Sequence, residues 1–284
     1  MSGILYLCAT PIGNLEDMTM RAVRILKEVD LIAAEDTRNS IKLLNHFEIH
    51  TPMTSYHEFN KYEKGRYLVG LLLEGKNIAL ITDAGTPGIS DPGEELVRMA
   101  HEAGVTVTAL PGACAAVNAL VLSGLPTRRF CFEAFLPADK KERREVLEEL
   151  KEETRTIVLY EAPHRLLRTL QELFEELGDR SLTVVRELTK KHEAVSRALT
   201  RRDPLPQLSL PPSVPSPLKY NAPYVLQAAP HTNLPVPFFL YPPCLRPQEP
   251  AHIPLLAHFA YNMLWRRTGL SEKQLHAFLS VPLV

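Results

Sequence analysis

The sequence predicts an α/β protein of two lobes, the first on a largely parallel sheet and the second incomplete, with a proline-rich irregular C-terminal region. Three observations predict it. Short apolar runs alternate with helix-period stretches over roughly the first 190 residues. The pattern restarts near residue 126. The composition then breaks: sixteen of the 24 prolines lie beyond Asp203, and no glycine occurs between Gly178 and Gly269.

The elements follow in order. Ile4 to Ala9 reads as a buried strand, and Thr19 to Val29 as a helix with Ala22, Ile25, Leu26 and Val29 on one face. Leu31 to Ala34 is a second short strand. Tyr67 to Leu73 is helical and stops at Gly75. Ile78 to Ile81 is a strand, Pro92 to Ala103 a helix, Val105 to Leu110 a strand and Cys114 to Leu122 a helix. In the second lobe, Phe130 to Phe135, Thr156 to Tyr160 and Leu182 to Arg186 are strand-like. Lys140 to Glu153 and His164 to Leu177 are helical between them. This places a first lobe at 1–124 and a second at 125–202. Proline at the later density opposes regular helix and central strand, so 203–255 is expected to be irregular. Helical periodicity returns only in the tail at 256–284.

Composition narrows the function. The chain is 45% hydrophobic and 23% charged with a net charge of -1, a globular balance without a global field for nucleic acid. Any RNA contact must therefore be a local patch. The four cysteines form no CxxC pair and no histidine cluster has zinc spacing, so no metal is expected and a reducing cytoplasm fits. No apolar stretch approaches the roughly 20 residues of a membrane span, and no basic leader precedes the first strand.

The chemistry-bearing runs sit at strand ends. Thr10-Pro11-Ile12-Gly13-Asn14-Leu15 follows the first strand, where open α/β sheets bind ligands. Gly13 would let backbone approach a ligand, although an ordinary turn explains the run equally well. It is not a dinucleotide fingerprint. Asp83 to Gly93 carries three glycines, two prolines and two aspartates in one long turn. Asp91 with Pro92 reads as a helix start, which leaves Gly-Thr-Pro-Gly unexplained. Leu110 to Cys114 closes a third strand with a common Pro-Gly turn. Together, three Pro/Gly loops would converge on one sheet edge. Glu35-Asp36-Thr37-Arg38 reads either as chemistry or as a capped helix start. Tyr160 to Arg165 and Arg186 to Glu193 mix aromatic, acidic and basic groups. His164 and Arg165 at a helix start oppose the dipole, a mild argument for function. The run Lys140, Lys141, Arg143, Arg144 reads as a solvated helix face.

In this order, the runs TPIGNLEDMT, AAEDTR, TDAGTPGISDPG, LPGACA, FLP, YEAPHR and VRELTKKHE resemble the tetrapyrrole methylase superfamily. Within it they are similar to the branch that methylates a cytidine ribose 2′-hydroxyl in small-subunit (16S) ribosomal RNA. The resemblance implies a bilobal fold with S-adenosylmethionine in the cleft, a homodimer and a ribosomal substrate. It assigns the donor to Pro11, Gly13, Asp83, Ala84, Gly85, Thr86, Pro87, Ile89, Ser90, Pro111, Gly112 and Ala113. RNA contacts are expected from Arg38, His164, Arg165, Arg186, Lys190 and Lys191. A ribose hydroxyl needs a base or a polarising cation. Glu35, Asp36, Glu161, Glu187 and Lys190 are the candidates, and the sequence does not choose among them. Two rivals stand beside this reading: a methylase of a small tetrapyrrole, and an inactive donor-binding chain with a disrupted second lobe. The family's later Gly-Glu-Phe-Val-Leu-Val-like strand has no counterpart after Glu193. This predicts that residues beyond about 203 do not continue the fold, whether through a shifted reading frame, a splice or a genuine appendage.

Overall fold

A computed structural model of the chain describes residues 1–178, 180–199 and 224–230. The predicted tail at 256–284 and most of 203–255 lie outside the described residues.

The first lobe is a doubly wound sheet. Its strands are β1 (Ile4–Cys8), β2 (Leu31–Ala34), β3 (Met53–Ser55), β4 (Ile78–Ile81) and β5 (Thr106–Leu110). They lie in the order β3-β2-β4-β1-β5, all parallel. Helices cover both faces, so the strands read as continuous apolar runs. One face packs Cys8, Ile32, Ala34, Ala79 and Ile81 against Ala22, Ile25 and Leu26 of α1 (Met20–Glu28) and Leu44 of α2 (Thr37–His46). The other packs Leu5, Ala33, Ile78 and Leu80 against Leu68 and Leu72 of α3 (Lys61–Leu73) and Leu96 and Ala100 of α4 (Glu94–Glu102). The alternation has the period of two that strand geometry demands.

The second sheet orders its strands β6-β7-β10-β8-β9. Here β6 (Phe130–Phe135) and β7 (Thr156–Glu161) pair in parallel, with a register shift between Phe132 and Ala134. Strands β8 (Arg180–Arg186) and β9 (Ala194–Leu199) form an antiparallel hairpin. The second sheet is therefore mixed. Ile157, Leu159, Leu182 and Val184 face the helices α6 (Lys140–Lys151) and α7 (Leu166–Leu177).

The opposite face is covered by α5 (Ala115–Ser123), which belongs to the first lobe by sequence. Ala115, Ala116, Ala119 and Leu120 pack on Val158, Tyr160, Val185 and Leu188. A helix apolar over so much of its surface is suited to lie between two lobes. Among the described residues, three hydrogen bonds cross this seam. Ala116 N–H donates to the Tyr160 hydroxyl at 3.0 Å, Thr183 Oγ1 to Ser123 O at 3.2 Å, and Arg197 Nη2 to Leu122 O at 3.2 Å.

Several expectations need correction. Within the span expected to be irregular, β10 (Tyr224–Pro230) pairs antiparallel with both β7 and β8. The physical reason is local: six proline-free residues stand between Pro223 and Pro230, long enough for one strand. Asp91 and Pro92 do not start α4; Gly93 is its N-cap, at φ 155°. Helix α3 begins at Lys61, six residues before the sequence placed it. Gly65 hid that start: it sits inside the helix, where an added Cβ would meet Met99 Sδ at 2.9 Å. Arg143 is not on a solvated face but buried, with its Nε donating to Glu172 at 2.6 Å.

Candidate active site

The Pro/Gly loops follow β1, β4 and β5, and β1 lies between the other two. They are joined by hydrogen bonds. Thr10 N–H donates to Gly85 O at 2.9 Å, and Gly85 N–H returns to Thr10 O at 3.0 Å. Thr10 Oγ1 donates to Thr82 O at 3.0 Å, and Thr86 Oγ1 to Ala113 O at 2.9 Å. Gly85 reaches this bridge at φ 101°, a conformation disfavoured for any residue with a Cβ.

Burial divides the expected donor residues into two groups. Gly85 and Pro87 are buried and hold the frame, while Ile89, Ser90, Pro111, Gly112 and Gly13 are exposed along the edge. Asp83, Ala84, Thr86, Pro11 and Ala113 lie between these limits. Ser90 holds φ 62°, an uncommon conformation for a residue other than glycine. Two glycines have packing reasons that sequence could not supply. A Cβ at Gly112 would meet Ala9 Cβ at 2.6 Å, and one at Gly13 would meet Lys190 Cγ at 2.5 Å. Gly13 thus admits the loop between β8 and β9.

An acidic group stands beside these loops. Strands β2 and β4 are neighbours, so Glu35 and Asp83 emerge side by side. Asp83 N–H donates to Glu35 Oε2 at 3.2 Å, and Asn39 Nδ2 to Asp83 Oδ2 at 3.0 Å. Asp83 Oδ1 is buried without a hydrogen-bond partner. Burial raises the Glu35 and Asp83 carboxyls above their ordinary range. Asp91, which the sequence offered only as a cap, joins them. Burial, then the charges of Glu35 and Asp83, push its carboxyl up to about 7. No sequence signal marks this grouping, because Glu35 follows β2 while Asp83 and Asp91 lie in the loop after β4. Asp36 stands apart: it caps α2 and binds Arg38, whose Nη2 lies 2.7 Å from Asp36 Oδ2. That hydrogen bond holds the Asp36 carboxyl down at about 2.

The second-lobe candidates occupy two places. Glu161 is 0% exposed, and its oxygens accept from Ala162 N–H at 2.7 Å, Thr169 Oγ1 at 2.5 Å and Arg165 Nε at 2.9 Å. His164 and Arg165 lie in a short 3-10 turn ahead of α7, and His164 is exposed. Arg186, Glu187, Lys190 and Lys191 belong to the loop between β8 and β9. Glu187 and Thr189 both take positive φ there, 51° and 63°. Such strain is characteristic of functional loops. Lys190 Nζ lies 3.4 Å from Glu187 Oε2, and Arg186 Nε is buried without a hydrogen-bond partner. Lys191 is exposed.

This architecture occurs in solved structures. A uroporphyrin-III-C-methyltransferase from Thermus thermophilus matches 80% of this chain and 94% of its own, with TM-score 0.54 and 22% identity. A diphthine synthase matches 80% and 90%, with TM-score 0.61 and 14% identity. At these identities the likeness establishes the fold. The family model for Tetrapyrrole (Corrin/Porphyrin) Methylases matches residues 5–202, and the chain belongs to that family. Among curated relatives, the "Ribosomal RNA small subunit methyltransferase I" of Synechocystis sp. is 59% identical over 192 residues, 67% of this chain and 69% of that one. The protein of the same name in Halalkalibacterium halodurans is 56% identical, over 69% and 68%. The one in Escherichia coli O157:H7 is 50% identical, over 69% of each. The family match stops where the composition breaks.

Methyltransferases of this family use S-adenosyl-L-methionine. The residues present fit that donor. Its ammonium and ribose hydroxyls call for acceptors, and the buried Asp83 Oδ1 is an acceptor without a donor. Its positive charge suits the neighbouring Glu35 and Asp91 carboxyls.

Proposed function

We propose that this chain transfers a methyl group from S-adenosylmethionine to a cytidine ribose 2′-hydroxyl in small-subunit (16S) ribosomal RNA. The observation that carries the proposal is the joining of three loops at the carboxyl ends of β4, β1 and β5, with strand ends of the second lobe brought onto them. The relatives' names supply the substrate class. When bound, the donor supplies the methyl group and its sulfonium activation. Residues Asp83 to Pro87, Ile89, Ser90, Pro11, Gly13 and Pro111 to Ala113 would hold it. The frame fixed by Gly85 and Thr86 orients it, which lowers the barrier by proximity. Glu35 or Glu187 would take the ribose proton, and Lys190 would polarise its oxygen. Asp36 serves α2 and Arg38, and Glu161 serves Arg165; neither is the base. Arg38, His164, Arg165, Arg186, Lys190 and Lys191 meet RNA phosphates.

The second copy of a homodimer would cover α5, where Val117, Val121 and Leu122 are exposed apolar residues. Among the described residues, three cysteines without disulfides support a reducing, cytoplasmic setting. No helix among the described residues is long and apolar enough to cross a membrane. The test is transfer of a tritiated methyl group to small subunits purified from a strain lacking the modification, beside a tetrapyrrole macrocycle as rival acceptor. Label on the subunit RNA supports the proposal. Label on the macrocycle, or donor binding without turnover, overturns it in favour of one rival or the other.

A further inference from the structure

The second lobe contains a buried polar chain that the methyl transfer does not use. Its centre is Glu161, the last residue of β7, which is 0% exposed. Two α7 residues, Thr169 and Glu172, and one α6 residue, Arg143, complete it. Arg143 is 6% exposed and donates from Nη2 to Thr169 Oγ1 at 2.7 Å, and from Nε to Glu172 at 2.6 Å. It also donates to Pro137 O at 3.4 Å. Thr169 Oγ1 lies 2.5 Å from Glu161 Oε2.

The directions along this chain are fixed by chemistry. A guanidinium only donates, so Thr169 accepts from Arg143 and its own proton goes to Glu161. Ala162 N–H and Arg165 Nε, also donors, engage the other carboxylate oxygen. Every partner of the Glu161 side chain among the described residues therefore requires an acceptor. A buried charge is costly unless so bound. The chain reaches the surface at two arginines: Arg168, 64% exposed and bound to Glu172 at 2.8 Å, and Arg165, the one held by Glu161, whose side chain is 32% exposed while its Nε is held at 2.9 Å.

We propose that Glu161 is a positioning residue for Arg165, and that the Arg143–Thr169–Glu161 chain presets this guanidinium to receive an RNA phosphate. The inference rests on the reading of the protein as an RNA methyltransferase. A planar donor fixed at one nitrogen loses less freedom when its remaining nitrogens bind a phosphate. It also explains why a charged group follows a turn of Pro163 and His164, at a position the helix dipole disfavours.

The test is a double-mutant cycle on the full chain. Binding of unmethylated small-subunit ribosomal RNA is measured between 50 and 200 mM salt, roughly the range over which phosphate contacts are read. Arg165→Ala should weaken binding about tenfold and lower the salt slope by about 0.7 to 0.9. Glu161→Gln should lower both almost as far in the wild-type background and change neither in the Arg165→Ala background. Thr169→Val, which keeps the buried carboxylate but removes its hydroxyl donor, should give a smaller loss that also vanishes there. This variant carries the test if Glu161→Gln does not fold, and Thr169→Ser should restore wild-type binding. A merely structural role would lower thermal stability while leaving the salt slope unchanged. Unchanged RNA binding in folded Glu161→Gln or Thr169→Val overturns the proposal, as does a loss that persists without Arg165. Wild-type protein that shows no salt-dependent RNA binding overturns the RNA reading itself. Wild-type binding with an inert Arg165→Ala overturns only the role given to Arg165.

Discussion

Gly13→Ala separates two accounts of the loop after β1. If Gly13 serves the donor, an added methyl group obstructs the ligand. If it serves the lobe seam, the methyl group obstructs the loop between β8 and β9. A Cβ there would lie 2.5 Å from Lys190 Cγ, 3.0 Å from Lys190 Cε and 3.0 Å from Leu188 O. The worst contact is with a flexible stem; the third is with backbone that yields less. Overpacking of this kind costs about 1–3 kcal/mol. Lys190→Ala removes Cγ and Cε and leaves only the carbonyl contact. Gly13→Ala should then cost about 1 kcal/mol less in the Lys190→Ala background than in wild type, the coupling expected of touching residues. Urea unfolding of the four proteins in the cycle measures it, and calorimetry follows donor affinity in the same set. Donor affinity lost in Gly13→Ala should return in the double variant. Additivity within about 0.5 kcal/mol would refute the seam account. So would donor binding abolished equally in both backgrounds.

Two further predictions follow from the acidic group and the loop frame. The Asp91 carboxyl is raised to about 7, so the folded protein keeps a proton that the unfolded chain releases near 3.8, the ordinary aspartate value. Stability from this group is therefore gained as pH falls through 7 and is absent above it. Asp91→Asn should stabilise the protein at pH near 8 and flatten the rise towards acid, as read from denaturant midpoints; an unchanged pH profile contradicts the burial argument. Gly85→Leu forces a side chain onto φ 101° beside Ile12 Cγ2 at 3.5 Å. Such a conformation costs on the order of 1–3 kcal/mol. Donor affinity should fall at least about tenfold, the equivalent of 1.4 kcal/mol at the low end of that strain, and unchanged binding by a folded variant would remove Gly85 from the donor frame.

The legible parts of the fold were those governed by local periodicity. Ile78 to Ile81 and Phe130 to Phe135 are strands at the residues where apolar runs placed them. The three-residue β3 was too short to register, and β9 has partly exposed side chains and so no apolar run to announce it. Strand β10 was obscured by the surrounding prolines, although its own span contains proline only at its end. The convergence of three loops followed from strand-end position in a parallel sheet. What sequence could not supply were distances across the fold. Gly13 meets Lys190 over more than half the chain's length, and Asp91 meets Glu35 from another strand. Glu161 and Arg143 looked like an active-site acid and a surface base. Only the packing of α6 and α7 on β7 joins them through Thr169.

Mapping the transferred methyl group distinguishes ribose 2′-O-methylation from every other outcome. RNA labelled by this protein on unmethylated small subunits is hydrolysed in alkali, which cleaves beside every free 2′-hydroxyl and spares a methylated one. The account predicts label in a single alkali-stable dinucleotide that begins with 2′-O-methylcytidine. Label released on a mononucleotide, carried on a base, or absent from the RNA would contradict it.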